Sequence, residues 1–146
     1  MWSYRDQFRR VKRYLIRIEN QNRDSTEYDD DLWSFFQNCW HLKDWIKSDS
    51  ERPSNLSSRK IEKIVHAHPN IVICGDLATR TKHARCEKGA AEFTQRNVTV
   101  NLGNPTTSTS EHIVTLKDGT KVVALEVARK AVEEWHDIFT THGLHT

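Results

Sequence analysis

PNIVICGDLATRTKHARC, residues 69–86, decides how the chain is read. Proline suits the first position of a helix, where its missing N–H has no partner to lose. At about 100° per residue, Ile71, Cys74, Leu77, Ala78 and Thr81 then fall on one side. Asp76, Arg80 and His83 fall on the other, at i, i+4 and i+7. Asp76 four residues before Arg80 is the favourable order for a helical ion pair. The segment predicts an amphipathic helix with an aliphatic flank and one polar row. That row admits two readings, a solvated outer face or a polar site in a groove.

Upstream, Ser57 or Ser58 can cap a helix running to about Ala67, with Ile61, Ile64 and Val65 inward. Pro69 ends it, because the residue before proline avoids the helical region. SDSERPSNLSS, residues 48–58, has a proline, several serines and no periodicity, and reads as a loop. Before it, Tyr28, Leu32, Phe35, Cys39, Leu42 and Ile46 form a stripe on a helix from Ser25 or Thr26 to about Lys47. Trp33, Phe36 and Trp40 add a second apolar strip, and Trp45 points elsewhere. So wide an arc predicts a helix packed on more than one side, at the centre of a bundle. His41 and Asp44, at i and i+3 on its polar strip, predict a local hydrogen bond.

The first helix spans Ser3 to Asn20, on the repeat Tyr4, Phe8, Val11, Leu15 and Ile18. Arg5, Arg9, Lys12, Arg13 and Arg17 lie opposite. Such a face can meet phosphates, or it can be neutralised by the acids that follow, Asp24, Glu27, Asp29, Asp30 and Asp31.

Downstream of Cys86 the periodicity changes to two. Residues 94–102, TQRNVTVNL, read as a strand. Residues 103–110 read as a Thr/Ser-rich loop. Ile113–Leu116 and Lys121–Val123 flank Lys117-Asp118-Gly119-Thr120, and Asp-Gly between β-branched runs signals a hairpin. A last helix, from about Leu125 to Thr141, carries Leu125, Ala128, Val132, Trp135 and Phe139, with Gly143 as its stop. The expected fold is mainly α: an up-down bundle of about five helices, one domain over residues 1–146, with a small antiparallel hairpin or meander inserted at about 94–123.

The chain has 146 residues and a formal charge of +2, too small a charge to argue for nucleic acid by itself. No apolar run approaches the roughly 18 residues of a membrane span, and MWSYRDQFRR lacks the apolar stretch of a secretory signal. The three cysteines, Cys39, Cys74 and Cys86, form an odd set, two of them at core positions. Reduced thiols, a cytoplasmic location and no membrane association are expected. His66, His68, Cys74, His83 and Cys86 match no zinc spacing, and there is no phosphate-binding glycine loop. No metal and no cofactor are expected.

Metal-free cleavage of RNA needs a base, an acid and a cation for the phosphate. Asp76, Arg80, Lys82 and His83 can supply these, with His83 as acid/base, Arg80 or Lys82 on the phosphate and Asp76 orienting Arg80. Arg59 and His66, on one face of the preceding helix, are the second choice. The segments SFFQNCWHLKDWIKSD (34–49) and ICGDLATRTKH (73–83), with the hairpin and the Trp-bearing last helix, resemble small bacterial proteins related to the HEPN helical-bundle superfamily. The resemblance implies an up-down bundle, often a homodimer. It implies RNA binding or metal-independent ribonuclease activity in a toxin–antitoxin or antiphage system. The superfamily motif sets a histidine four to six residues beyond an arginine and its polar neighbour. Arg80 to His83 is shorter than that, and Arg59 to His66 has the spacing with Lys60 as the neighbour. A non-catalytic protein-interaction module is the alternative.

Overall fold

The computed structural model describes residues 2–82, 92–100 and 107–146, and of residues 80–82, 92–100 and 107–110 it describes the backbone alone. The elements are α1 (Tyr4–Glu19), α2 (Thr26–Ser48), α3 (Ser58–His66), α4 (Pro69–Lys82), β1 (Glu92–Val100), β2 (Thr107–Thr115), β3 (Lys121–Val123) and α5 (Ala124–His142). The chain is mainly helical, with a small antiparallel sheet before the last helix, as its periodicities predict.

Each of the first three helices starts on a serine that satisfies an otherwise orphaned N–H. Ser3 forms a capping box: its hydroxyl accepts from the Asp6 N–H at 3.4 Å, and the Asp6 carboxylate accepts from the Ser3 N–H at 2.8 Å. Ser25 caps Tyr28 N–H and Ser57 caps Lys60 N–H, both at 3.1 Å.

α2 occupies the centre, as its wide apolar arc predicts. Tyr28, Leu32, Phe35, Phe36, Cys39, Leu42 and Ile46 are all buried, and burying side chains of this size stabilises by about 1.5–3 kcal/mol each. α2 packs chiefly against α1 and α4, and α5 closes the ring by packing against the same two helices. α1 and α4 therefore lie on opposite flanks of the bundle, and α3 sits on the α2–α4 side. Phe139 of α5 meets Phe8 at 4.5 Å and Tyr4 at 5.8 Å between ring centroids. The buried Trp135 indole donates to the Cys39 carbonyl at 3.1 Å, so its polar edge is satisfied inside the core.

α4 follows α3 after a break at Ala67 and His68. Its first N–H groups are met from across the bundle. Glu134 of α5 accepts from Asn70 N–H at 2.9 Å and from Ile71 N–H at 3.1 Å. An acid at the positive end of the helix macrodipole is favourable as well as hydrogen-bonded. One turn on, Gly75 lets α4 approach α2 closely: a Cβ there would stand 2.6 Å from the Trp40 ring.

The sheet is an antiparallel meander in the order β1-β2-β3. Lys117–Thr120 forms the turn between β2 and β3. Gly119 has φ +87°, the Asp118 carboxylate accepts from Thr120 N–H at 2.9 Å, and Thr115 faces Lys121. The segment 107–110 is corrected. It is not loop but strand, pairing with Asn97–Val100 in the register Val100↔Thr107 to Asn97↔Ser110. Ser/Thr composition reads as a connection, but threonine is also β-branched and fits a pleated strand once a partner is alongside. Residues 101–102, read as the strand's end, lie outside the described residues; β1 instead starts two residues early, at Glu92.

The sheet is tied to α2 by polar contacts. His112 of β2 is buried, its Nε2 meets the Asp29 carboxylate in the first turn of α2, and its ring lies 4.9 Å from that of Tyr28. Arg23 pairs with Glu111 at 3.3 Å beside them. Burial pushes the Tyr28 hydroxyl above its ordinary pKa, with Arg23 opposing.

Candidate nucleic-acid interface

α1 carries six cations, Arg5, Arg9, Arg10, Lys12, Arg13 and Arg17, against the acids Asp6 and Glu19. Three are ion-paired: Arg5 with Glu51 at 3.2 Å, Arg9 with Asp6 at 3.5 Å and Arg17 with Asp31 at 3.1 Å. Of the acids expected to neutralise this helix, Asp31 does so, with Arg17. Asp29 goes to His112 instead.

Arg10, Lys12 and Arg13 have no carboxylate partner among the described residues. Arg10 donates to Gln7 Oε1 at 3.1 Å and lies over the Trp2 ring, 5.1 Å from its centroid. The Lys12 ammonium stands 4.7 Å from the Phe8 ring centroid. Both contacts use aromatic faces and leave the charge uncompensated. Arg13 is exposed. With Arg9 and Ile16 it forms one outward stripe at i, i+4 and i+7. Ile16 at 60% and Trp2 at 61% are the large apolar side chains left exposed among the described residues. Both belong to this helix or its entry. Unpaired cations around exposed apolar and aromatic groups are the surface that holds phosphates and stacks bases.

The polar row of α4 has a different setting. The aliphatic flank is inward as expected for Ile71, Cys74, Leu77 and Ala78, all buried. Asp76 and Arg80 stand one turn apart on α4 and Lys82 is its last residue; His83, the expected acid/base, lies outside the described residues. Of this row Asp76 is half-buried, as is its neighbour Thr79. Asp76 is engaged by neighbours, and the Thr79 hydroxyl donates to the Gly75 carbonyl at 2.9 Å.

On α3, Arg59 and His66 are both exposed. His66 Nδ1 faces the Glu62 carbonyl at 2.8 Å. A carbonyl only accepts, so the neutral ring carries its proton on Nδ1 and keeps a lone pair on Nε2. His68 makes the same contact with the Ile64 carbonyl at 2.7 Å. Beside His66, the Glu62 carboxylate bridges Lys43, at 2.8 Å, and Lys47. Burial works against the Lys43 ammonium, but Glu62 and Asp44 outweigh it and its pKa is raised. Burial likewise opposes ionised Glu62, but Lys43 and Lys47 hold its pKa below the ordinary carboxylate value. Asp44 pairs with Lys43 at 3.3 Å and Lys47 at 3.7 Å. The expected His41–Asp44 bond is thereby corrected: the Asp44 carboxylate goes to the two ammonium groups instead.

Cys39 and Cys74 are buried free thiols, and burial, then Cys39, pushes the Cys74 thiol well up. Cys86 lies outside the described residues. Among the described residues no group of three His, Cys, Asp or Glu side chains could hold a metal ion, and no helix is long and apolar enough to cross a membrane.

The geometry therefore separates the sequence-predicted residues. The basic face is on α1 and the Asp76–Arg80 row on α4, across the bundle, with Arg59 and His66 on α3 at the α4 side. Sequence reading finds the cations of α1, but not Trp2 and Ile16. Trp2 precedes the helix and Ile16 lies off its apolar repeat, and an apolar residue on a charged face was the available signal. No protein-family model, curated protein or solved structure matches the chain.

Proposed function

We propose that this chain is an RNA-binding helical bundle of the HEPN-like kind, which holds a single strand along the outer face of α1. The observation that carries this is the set Arg10, Lys12 and Arg13, three cations without a carboxylate across the outward arc of α1, with exposed Trp2 beside Arg10 and exposed Ile16 in line with Arg9 and Arg13. Phosphate contacts would supply affinity through counterion release, and the apolar groups would supply base stacking.

Fluorescence anisotropy with a labelled single-stranded RNA tests this. Three phosphate contacts give log K a slope of about −2 against log salt, a loss of about fifteenfold from 50 to 200 mM. Absence of binding at low salt, or binding indifferent to salt, would overturn the reading.

Cleavage is a second reading, favoured by one observation. His66 is exposed, with its free lone pair on Nε2, and Arg59 stands two turns away. There His66 Nε2 would take the 2′-hydroxyl proton as that oxygen attacks the phosphorus, Arg59 would meet the phosphate, and the departing 5′-oxygen would take its proton from water, leaving a 2′,3′-cyclic phosphate. Incubating wild type, His66→Ala and His83→Ala with labelled RNA in EDTA decides it. Cleavage lost in His66→Ala alone supports the α3 site, loss in His83→Ala alone supports the α4 row, and cleavage retained by both excludes these histidines.

A further inference from the structure

Trp2 is also one wall of a pocket of about 330 Å³. Trp45, the tryptophan that leaves the apolar arc of α2, is another, and Ser3, Ser48, Asp49, Ser50 and Glu51 complete it. The volume is at the lower end for small-molecule pockets, roughly 300–1,000 Å³, and suits one planar heterocycle. Two contacts join the pocket to the basic face of α1. Arg10 lies over Trp2, and Arg5 pairs with Glu51. A strand lying along α1 would reach the pocket at the helix N-terminus.

Two of the groups that line it, the Asp49 and Glu51 carboxylates, only accept, and the serine hydroxyls can donate or accept. Asp49 is fixed by two backbone donors, Tyr4 N–H at 3.1 Å to Oδ2 and Glu51 N–H at 2.9 Å to Oδ1. Each carboxylate oxygen has a further lone pair, and an ionised carboxylate cannot donate. The edge of a base that meets these carboxylates must therefore offer donors. Guanine presents N1–H and the N2 amino group side by side. Adenine has one amino group on that edge beside the N1 acceptor, and uracil has a single N3–H flanked by two carbonyl oxygens that the carboxylates would repel.

We propose that the pocket between Trp2 and Trp45 takes one unpaired guanine of the bound RNA, stacked on indole and read by the Asp49 and Glu51 carboxylates. The proposal rests on the RNA-binding reading above and adds a base preference to it.

The test uses the full chain and three labelled hexanucleotides: all-uridine, and the same strand with one central guanosine or one central adenosine. The guanosine strand is expected to bind about tenfold tighter than the other two. Trp2→Ala and Glu51→Gln alter exposed side chains and are expected to bring that ratio close to one, with an unchanged circular dichroism spectrum. Equal affinity for all three strands would overturn the guanine pocket while leaving RNA binding standing. A guanine preference that survives both substitutions would overturn it too. Choline competing with the guanosine strand alone would mark the pocket as an ammonium site instead. If no strand binds at low salt, both readings fall.

Discussion

The Arg10 guanidinium lies over the Trp2 indole, 5.1 Å from the ring centroid, at the point where the chain enters α1. The contact holds an exposed aromatic ring against a basic helix without consuming the charge. Ile16, more than three turns beyond that entry, is exposed on the same helix. Neither side chain fills the core, so Ile16→Ser is expected to change stability by no more than about 0.5 kcal/mol. The same substitution should weaken RNA binding severalfold. Urea unfolding and anisotropy on one preparation separate the two effects.

The start of α4 depends on Glu134, whose carboxylate accepts from the Asn70 and Ile71 N–H groups. Glu134→Ala leaves those donors unmet at a helix N-terminus. A loss of about 1–2 kcal/mol is expected, with faster amide exchange at Asn70 and Ile71 than elsewhere in α4. Exchange unchanged at these two amides would show that the cap is dispensable.

Gly75 gives a reversal of sign. In an open helix interior, Gly→Ala stabilises by about 1 kcal/mol. Here the added methyl would meet the Trp40 ring at 2.6 Å, so Gly75→Ala is expected to destabilise by about 1–3 kcal/mol. A higher melting temperature in the variant would contradict the close approach of α2 and α4.

Acid should weaken the fold through Asp6 and Glu62. The Asp6 carboxyl is held below its ordinary value of 3.8 first by the Ser3 backbone N–H and then by the Ser3 hydroxyl. Glu62 is held below 4.5: burial opposes this, and the Lys43 and Lys47 ammonium groups outweigh it. A carboxyl with a depressed folded pKa binds fewer protons folded than unfolded in this range. Its contribution is therefore present above the ordinary value and lost as pH falls through the folded one. Denaturant midpoints should drop between pH 5 and pH 3, and by less in Asp6→Asn. An identical drop in that variant would remove the Ser3–Asp6 box from the acid response.

The helices are legible in the sequence because local signals agree there. Ser3, Ser25 and Ser57 cap, the apolar repeats are regular, and Pro69 and Gly143 mark a start and a stop. Residues 107–110 read wrongly because pairing with β1, not composition, makes them strand. The candidate site was half legible. The cations of α1 stand in the sequence, but which of them are neutralised depends on distant residues: Glu51 comes 46 positions after Arg5. The α4 cap is equally long-range, with Glu134 lying 64 positions beyond Asn70. The pocket beside Trp2 joins the chain's first residues to the 48–51 turn, which no periodicity connects.

The most direct test of the α1 interface is a charge reversal with an internal control. Lys12→Glu/Arg13→Glu is compared with Lys117→Glu/Lys121→Glu on the hairpin, an equal change in charge at exposed residues of another surface. The α1 variant is expected to lose at least about tenfold in affinity for single-stranded RNA, with a salt slope shallower by about 1.4. The hairpin variant should stay within about twofold of wild type. Equal losses in both, or no loss in the α1 variant, would contradict an RNA interface on this helix.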